Sequence, residues 1–248
     1  MVQFIKEIFK PIKRPVPNAC LNSLQAQHDF QLKVRKLKKA KRITLRVCHI
    51  NREIRVTTPS NLGTGLLERF INQNLKWIKS QILTCPPQVL VCEGVELPLF
   101  GINRMIRRES DCKTKYCLTD TDLRVPKISS DFKIQIKTVL IDIANDFFSE
   151  KCHKYSKELG TTFSGISIRD PKSRWGSCSS EQKLMFSWRL IMAPKEVSCY
   201  VAAHEVAHLI HMNHSKDFWG VVRSLYPDYV NQRNWLRRNG KTLHKFIF

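Results

Sequence analysis

Val197-Ser198-Cys199-Tyr200-Val201-Ala202-Ala203-His204-Glu205-Val206-Ala207-His208-Leu209-Ile210-His211 superimposes a chemical pattern on a structural one. Val197, Tyr200, Val201, Ala207 and Ile210 recur at helical spacing, and Pro194 suits the first turn of a helix, where its missing N–H costs nothing. The stretch therefore predicts a largely buried helix. Four residues make a little over one turn, so the imidazoles of His204 and His208 leave one face about 6 Å apart and can meet at one ion. Glu205 falls beside such an ion, where it can take a proton from a water. The alternative is a helix whose histidines only make buried hydrogen bonds.

A catalytic zinc needs three protein ligands and an open position. His211 shares the predicted helical face but is separated from His204 by about 10 Å of rise, so it is expected to be a neighbour. No Glu follows Glu205, and Asp217 and Asp228 are the remaining carboxylate substitutes. His214 lies far enough past His208 for the helix to stop and the chain to return, with Asn213 available for a left-handed turn. The expected metal ligands are His204, His208 and His214.

Upstream, Ile166 to Arg169 and Met185 to Leu190 predict strands joined by a turn around Ser177 to Gln182. Phe132 to Leu159 carries a helical stripe (Ile136, Val139, Leu140, Ile143, Phe147) closed by Gly160. A β-rich stretch punctuated by Gly94 and Gly101 covers Val89 to Val125. Before it, Leu67 to Ile82 predicts one helix, broken at Pro86 and Pro87. Arg42 to Val47 alternates with period two and predicts a hairpin with Ile54 to Thr57 through His49 to Arg52. The expected class is α+β. A β-rich N-terminal half with one helix precedes a C-terminal half in which the histidine helix packs on a small sheet. The expected segments are 1–29 (basic extension), 30–128 and 129–248, with a boundary near Pro126 to Ser130.

The chain has 248 residues with 42 Lys or Arg against 21 Asp or Glu, a formal net charge of +21, which favours polyanionic partners. Residues 1–42 hold eleven of these cations against Glu7 and Asp29. Few aromatics interrupt Lys33 to Arg42, so Lys36, Lys38, Lys39 and Lys41 are candidates for sequence-indifferent contact with nucleic acid phosphates. A solvated charged face is the plainer reading. Phe4, Ile5, Ile8, Phe9 and Ile12 allow a small amphipathic helix ended by Pro11, but Lys6, Glu7 and Lys10 interrupt any signal-peptide core. Nothing approaches a membrane span. Nine cysteines, an odd number without a CxxC pair, fit a reducing, cytoplasmic setting.

Arg174-Trp175-Gly176-Ser177-Cys178-Ser179, Ser187-Trp188-Arg189-Leu190, Ala193-Pro194, the HExxH stretch, Met212-Asn213-His214-Ser215 and Phe218-Trp219 together resemble the YgjP-like metallopeptidases. These are zincin-like proteins related to the SprT and WLM groups. The likeness extends back to Lys41–Val47 and Trp77-Ile78, and forward to Tyr226-Pro227 and Trp235-Leu236, leaving the N-terminal extension unmatched. The resemblance implies Zn2+ held by His204, His208 and His214, with Glu205 as catalytic acid and base. The SprT and WLM groups act on proteins attached to DNA, which implies a similar setting here. Against the broader HExxHxxGxxH pattern, His211 stands where the glycine would be, and the SprT-type zinc ribbon is absent.

The expected function is hydrolysis of peptide bonds in a protein or peptide substrate by a zinc-activated water, with Glu205 as general base. An extended peptide is expected to add to a strand edge near Ile166 to Trp175 or Met185 to Arg189, and Arg174 and Trp175 are candidates for lining the cleft. Trp175 is equally a core aromatic in prospect, and Cys178 is expected to be structural rather than nucleophilic. Two rivals remain. A zinc phosphohydrolase acting on nucleotides lacks a Gly-rich phosphate loop here, and a nucleic-acid-binding module with structural zinc would need neither an open position nor Glu205.

Overall fold

The computed structural model describes residues 31–48, 53–85, 87–128 and 131–248. The expected N-terminal helix and the His49 to Arg52 turn lie outside these residues. The chain divides into two compact units, Met1–Pro87 and Gln88–Phe248.

In the first unit, β2 (Thr44–Cys48) pairs antiparallel with β3 (Glu53–Pro59), as the alternating pattern predicts. The basic run holds a strand the pattern conceals: β1 (Gln31–Leu37) joins β3 in parallel, giving the order β1-β3-β2. Leu32 alone of β1 is fully buried, and Lys33 pairs with the buried Glu53 at 2.6 Å. The single predicted helix is two, α1 (Thr64–Gln73) and α2 (Leu75–Leu83). Asn74 separates them, because its side-chain amide donates to the Phe70 carbonyl at 2.7 Å and competes with the backbone ladder. Ile54, Val56, Leu67, Ile71, Ile78 and Ile82 supply the core of this unit.

The second unit begins well before the boundary expected near Pro126 to Ser130. The strands β5 (Glu96–Leu99), β6 (Ile102–Glu109), β7 (Cys117–Leu118) and β8 (Asp122–Pro126) form a sheet of order β5-β6-β8-β7. Its inward residues Leu97, Leu99, Ile106, Leu123 and Val125 share one core with α3 (Phe132–Glu158) and α4 (Lys195–Ala207). A shared core makes 88–128 part of this unit, whereas alternation alone cannot say which neighbour a strand packs against. The β4 strand (Val89–Leu90) pairs with β12 (Phe246–Ile247) and so ties the start of the unit to its end.

A second sheet of order β10-β11-β9 consists of β9 (Gly165–Arg169), β10 (Gly176–Cys178) and β11 (Lys183–Ser187). The β9 and β11 strands run parallel, and the segment expected to be only a turn begins within β10, which is antiparallel to β11. Trp188 to Leu190, expected to continue the strand, instead belong to a 3-10 turn, Trp188–Met192. The β5–β6 hairpin turn presses on this region: Phe100 and Gly101 both have positive φ, Phe100 N–H donates to Ile191 O at 2.6 Å, and a Cβ on Gly101 would lie 3.3 Å from Pro194 Cα. That contact fixes the start of α4. The described residues contain no helix long and apolar enough to cross a membrane.

Candidate metal centre

The α4 helix is buried on nearly every side, through Val197, Tyr200, Val201, Ala202, Ala203, Val206 and Ala207. It ends at Ala207, with His208 as its cap. His211 therefore lies beyond the helix instead of on its face, as the sequence suggested. Its backbone carbonyl accepts from His208 Nδ1 at 3.0 Å, which leaves the Nε2 lone pair of His208 free.

Asn213 also departs from expectation. Its φ is not positive. The chain turns because Asn213 Oδ1 accepts from Ser215 N at 3.2 Å, and Ser215 Oγ in turn accepts from Phe218 N at 3.3 Å, capping α5 (Lys216–Leu225). These two bonds hold His214 against α4. The fully buried Phe218 floors the cluster, its ring centre 4.9, 4.5 and 4.7 Å from those of His204, His208 and His214.

The three imidazoles form a nearly equilateral triangle, with ring centres 5.0, 5.0 and 4.8 Å apart, and one nitrogen from each lies within 4.8 Å of the others. Nε2 of His204 and Nε2 of His214 are 3.1 Å apart. Two nitrogens sharing a tetrahedral zinc at 2.0–2.1 Å would stand about 3.3 Å apart, so the pair fits that ion. Charge agrees with geometry. Burial, followed by the electrostatic influence of His208, His214 and Arg233, pushes His204 down to about 3, and burial also lowers His208. Neutral imidazoles are the form that ligates. His204 Nδ1 is buried without a hydrogen-bond partner among the described residues. No other group of three or more His, Cys, Asp or Glu with such spacing occurs among them. Asp217 and Asp228 stand apart; Asp228 instead accepts from Asn231 Nδ2 at 2.6 Å and Gln232 Nε2 at 3.2 Å.

Glu205 is 5% exposed and has no hydrogen-bond or salt-bridge partner among the described residues. Burial pushes its carboxyl up to about 8, with the Arg174 guanidinium pulling the other way. Room for it comes from Gly176 on the edge strand β10: a Cβ there would lie 2.5 Å from Glu205 Oε1 and 2.7 Å from its Cγ. Sequence reasoning gave Gly176 no role of its own. A glycine inside a strand marks a close approach, but the strand that contains it, β10, was not legible in the sequence.

Arg174 is exposed, and its charge reaches Glu205. Trp175 packs instead on the C-terminal segment, 5.2 Å from the ring of His244 and against Gly240, where a Cβ would meet its indole at 3.0 Å. Burial and then the charge of Glu205 raise the Cys178 thiol, which keeps it protonated and inert. Arg189 is the other residue whose role only the structure reveals. It is 9% exposed, paired with Asp170 at 2.7 and 3.1 Å, and donates to the carbonyls of Leu243 and Phe246, clamping the chain end to the β9–β10 connection. Lys36, Lys38, Lys39 and Lys41 are exposed at the end of β1 and in the turn that follows, in the first unit.

No curated protein matches the chain. The family profile described as "YgjP-like, metallopeptidase domain" matches residues 41–239, and with a three-histidine cluster able to chelate zinc at the end of its buried helix, the chain belongs to the YgjP-like metallopeptidases.

Proposed function

We propose that Gln88–Phe248 is the catalytic domain of a zinc peptidase in which His204, His208 and His214 hold the metal and Glu205 is the general base. The observation that carries this reading is the buried, unpartnered carboxyl of Glu205 beside three converging imidazoles. Zinc there would supply Lewis acidity toward a scissile carbonyl and toward water.

The chain's own residues do the rest. The bond from His208 to the His211 carbonyl holds its ring with Nε2 inward. As a base Glu205 must be ionised, and a divalent cation beside it favours the carboxylate that burial disfavours. Glu205 accepts a proton from the attacking water and returns it to the leaving amine. The floor of Phe218 excludes water from beneath the cluster. An extended peptide would pair with β10, the sheet edge that borders Glu205; β11, named as an alternative by the sequence, is the central strand and is already paired on both sides. Arg174 lines that cleft, and Trp175 serves it by supporting the wall.

Lys36, Lys38, Lys39 and Lys41 are proposed as phosphate contacts that bring the enzyme to nucleic acid, supported by their exposure and the net charge of +21. Eight cysteines free of disulfides among the described residues support a reducing, cytoplasmic setting.

The test is Glu205→Gln in the full chain. Zinc content stays at the wild-type level while peptide hydrolysis falls roughly 100- to 10,000-fold. Turnover within a few-fold of wild type would assign the base to another residue.

A further inference from the structure

Beyond the ligands and Glu205, one cation stands over the metal centre without a structural task. Arg233 lies on α6 (Tyr229–Asn239) with its guanidinium carbon 4.6 Å from the ring centre of Trp219. That indole is in turn 5.7 Å from the ring of His204 and 5.8 Å from that of His214. Trp219 stacks on Tyr229 at 5.2 Å and 18°, and Tyr229 on Tyr200 at 6.4 Å and 25°. Tyr200 lies one turn before His204 on α4, so an aromatic wall runs from the metal cluster to Arg233.

The stacking contact limits the freedom of the guanidinium, leaving its N–H edge available to a planar anion. The arginines that serve architecture in this unit behave differently: Arg189 is paired with Asp170, Arg107 and Arg124 with Asp122, and Arg104 donates to the Leu99 and Thr119 carbonyls. Arg233 is exposed and has no carboxylate partner among the described residues. The nearest acid on its own helix boundary, Asp228, is occupied by Asn231 and Gln232.

We infer that Arg233, held on the Trp219 face beside the histidine cluster, is a specificity residue that binds a carboxylate of the substrate next to the scissile bond. The inference rests on the peptidase reading for its location. It adds to that reading a substrate class, peptides carrying an acidic side chain or a free C-terminal carboxylate within one or two residues of the cleaved bond. A guanidinium–carboxylate bond formed only by the acidic ligand contributes about ten-fold in affinity over an amide isostere.

Two measurements on the full-length, zinc-loaded protein test this. The first is the ratio of kcat/KM for N-acetylated, C-amidated peptides scanning one Glu past the scissile bond to that for their Gln twins, with a parallel arm in which only the C-terminus is freed. The second is calorimetric binding of the same peptides to Glu205→Gln, which does not depend on turnover. About a ten-fold acidic preference is expected in both, collapsing toward unity in Arg233→Gln and only partly kept in Arg233→Lys, which retains the charge but not the planar fork. The blocked and free arms tell side chain from terminus. Cleavage without an acidic preference, or a preference that survives Arg233→Gln, overturns the inference and leaves the peptidase standing. A binding preference that depends on Arg233 in a protein that cleaves none of the peptides does the reverse. Absence of both preference and cleavage overturns both.

Discussion

Among the described residues each compact unit buries one glutamate, and the two are opposites. Glu53 in the first unit is fully buried, and burial alone would raise its carboxyl; bonds from Lys33 and Arg55 outweigh that and hold it below its ordinary value. Glu205 in the second unit is 5% exposed, feels only the exposed Arg174, and is pushed up to about 8. A buried acid given partners is part of the architecture. A buried acid left without them, beside converging imidazoles, is held ready for a cation and a proton.

The largest effect expected from breaking this contrast comes from the space that keeps Glu205 free. Gly176→Ala places a methyl against its carboxylate, and a displacement of that size costs about 100-fold in kcat/KM while zinc content is unchanged. Gly165→Ala in β9 of the same sheet, where an added Cβ meets nothing within 4 Å, is the control and stays near wild type. Equal losses in the two variants would show that the sheet, not the glutamate, is being disturbed.

A smaller effect sharpens the comparison through pH. Because the folded value of Glu53 lies below its ordinary 4.5, its stabilisation is present above that pH and is lost as pH falls. Glu205 in the metal-free protein has the other sign: its folded value of about 8 is above the ordinary 4.5, so its contribution is present below 4.5 and is lost as pH rises through 8. Hydrogen exchange of the β3 and α4 amides, corrected for intrinsic rates, follows the units separately. Glu53→Gln should flatten the acid limb of β3, and Glu205→Gln the alkaline limb of α4. Since Lys33 and Arg55 are 64% and 50% exposed, losing the Glu53 pairs costs no more than about 1 kcal/mol. Unchanged limbs in either variant would remove that glutamate from the account.

The same contrast explains what the sequence made legible. The positions of His204, Glu205 and His208 follow from helical period, and His214 from the room needed to turn back, so the metal centre could be assembled from spacing. How the turn is made could not. Asn213 and Ser215 work through side-chain bonds to backbone N–H groups, and His211 through a carbonyl that every residue possesses. Gly176 was visible as a residue, but its task depends on a carboxylate 29 positions away in sequence. In the first unit β1 hid among lysines, because Leu32 and Val34 are too few to set a period. The unit boundary was misplaced by the same blindness to long-range partners: Leu97, Ile106 and Val125 advertise a buried face but not the α3 and α4 residues that bury it.

The central claim, a metal held by His204, His208 and His214, is tested most directly by metal analysis of the purified full chain and its single His→Ala variants. The account predicts one zinc per chain in the wild type. It predicts the same in His211→Ala, whose backbone carbonyl still accepts from His208, and loss of tight binding in His204→Ala, His208→Ala and His214→Ala. Full zinc retention in His214→Ala would contradict it and redirect the search for a third ligand to Asp217 or Asp228.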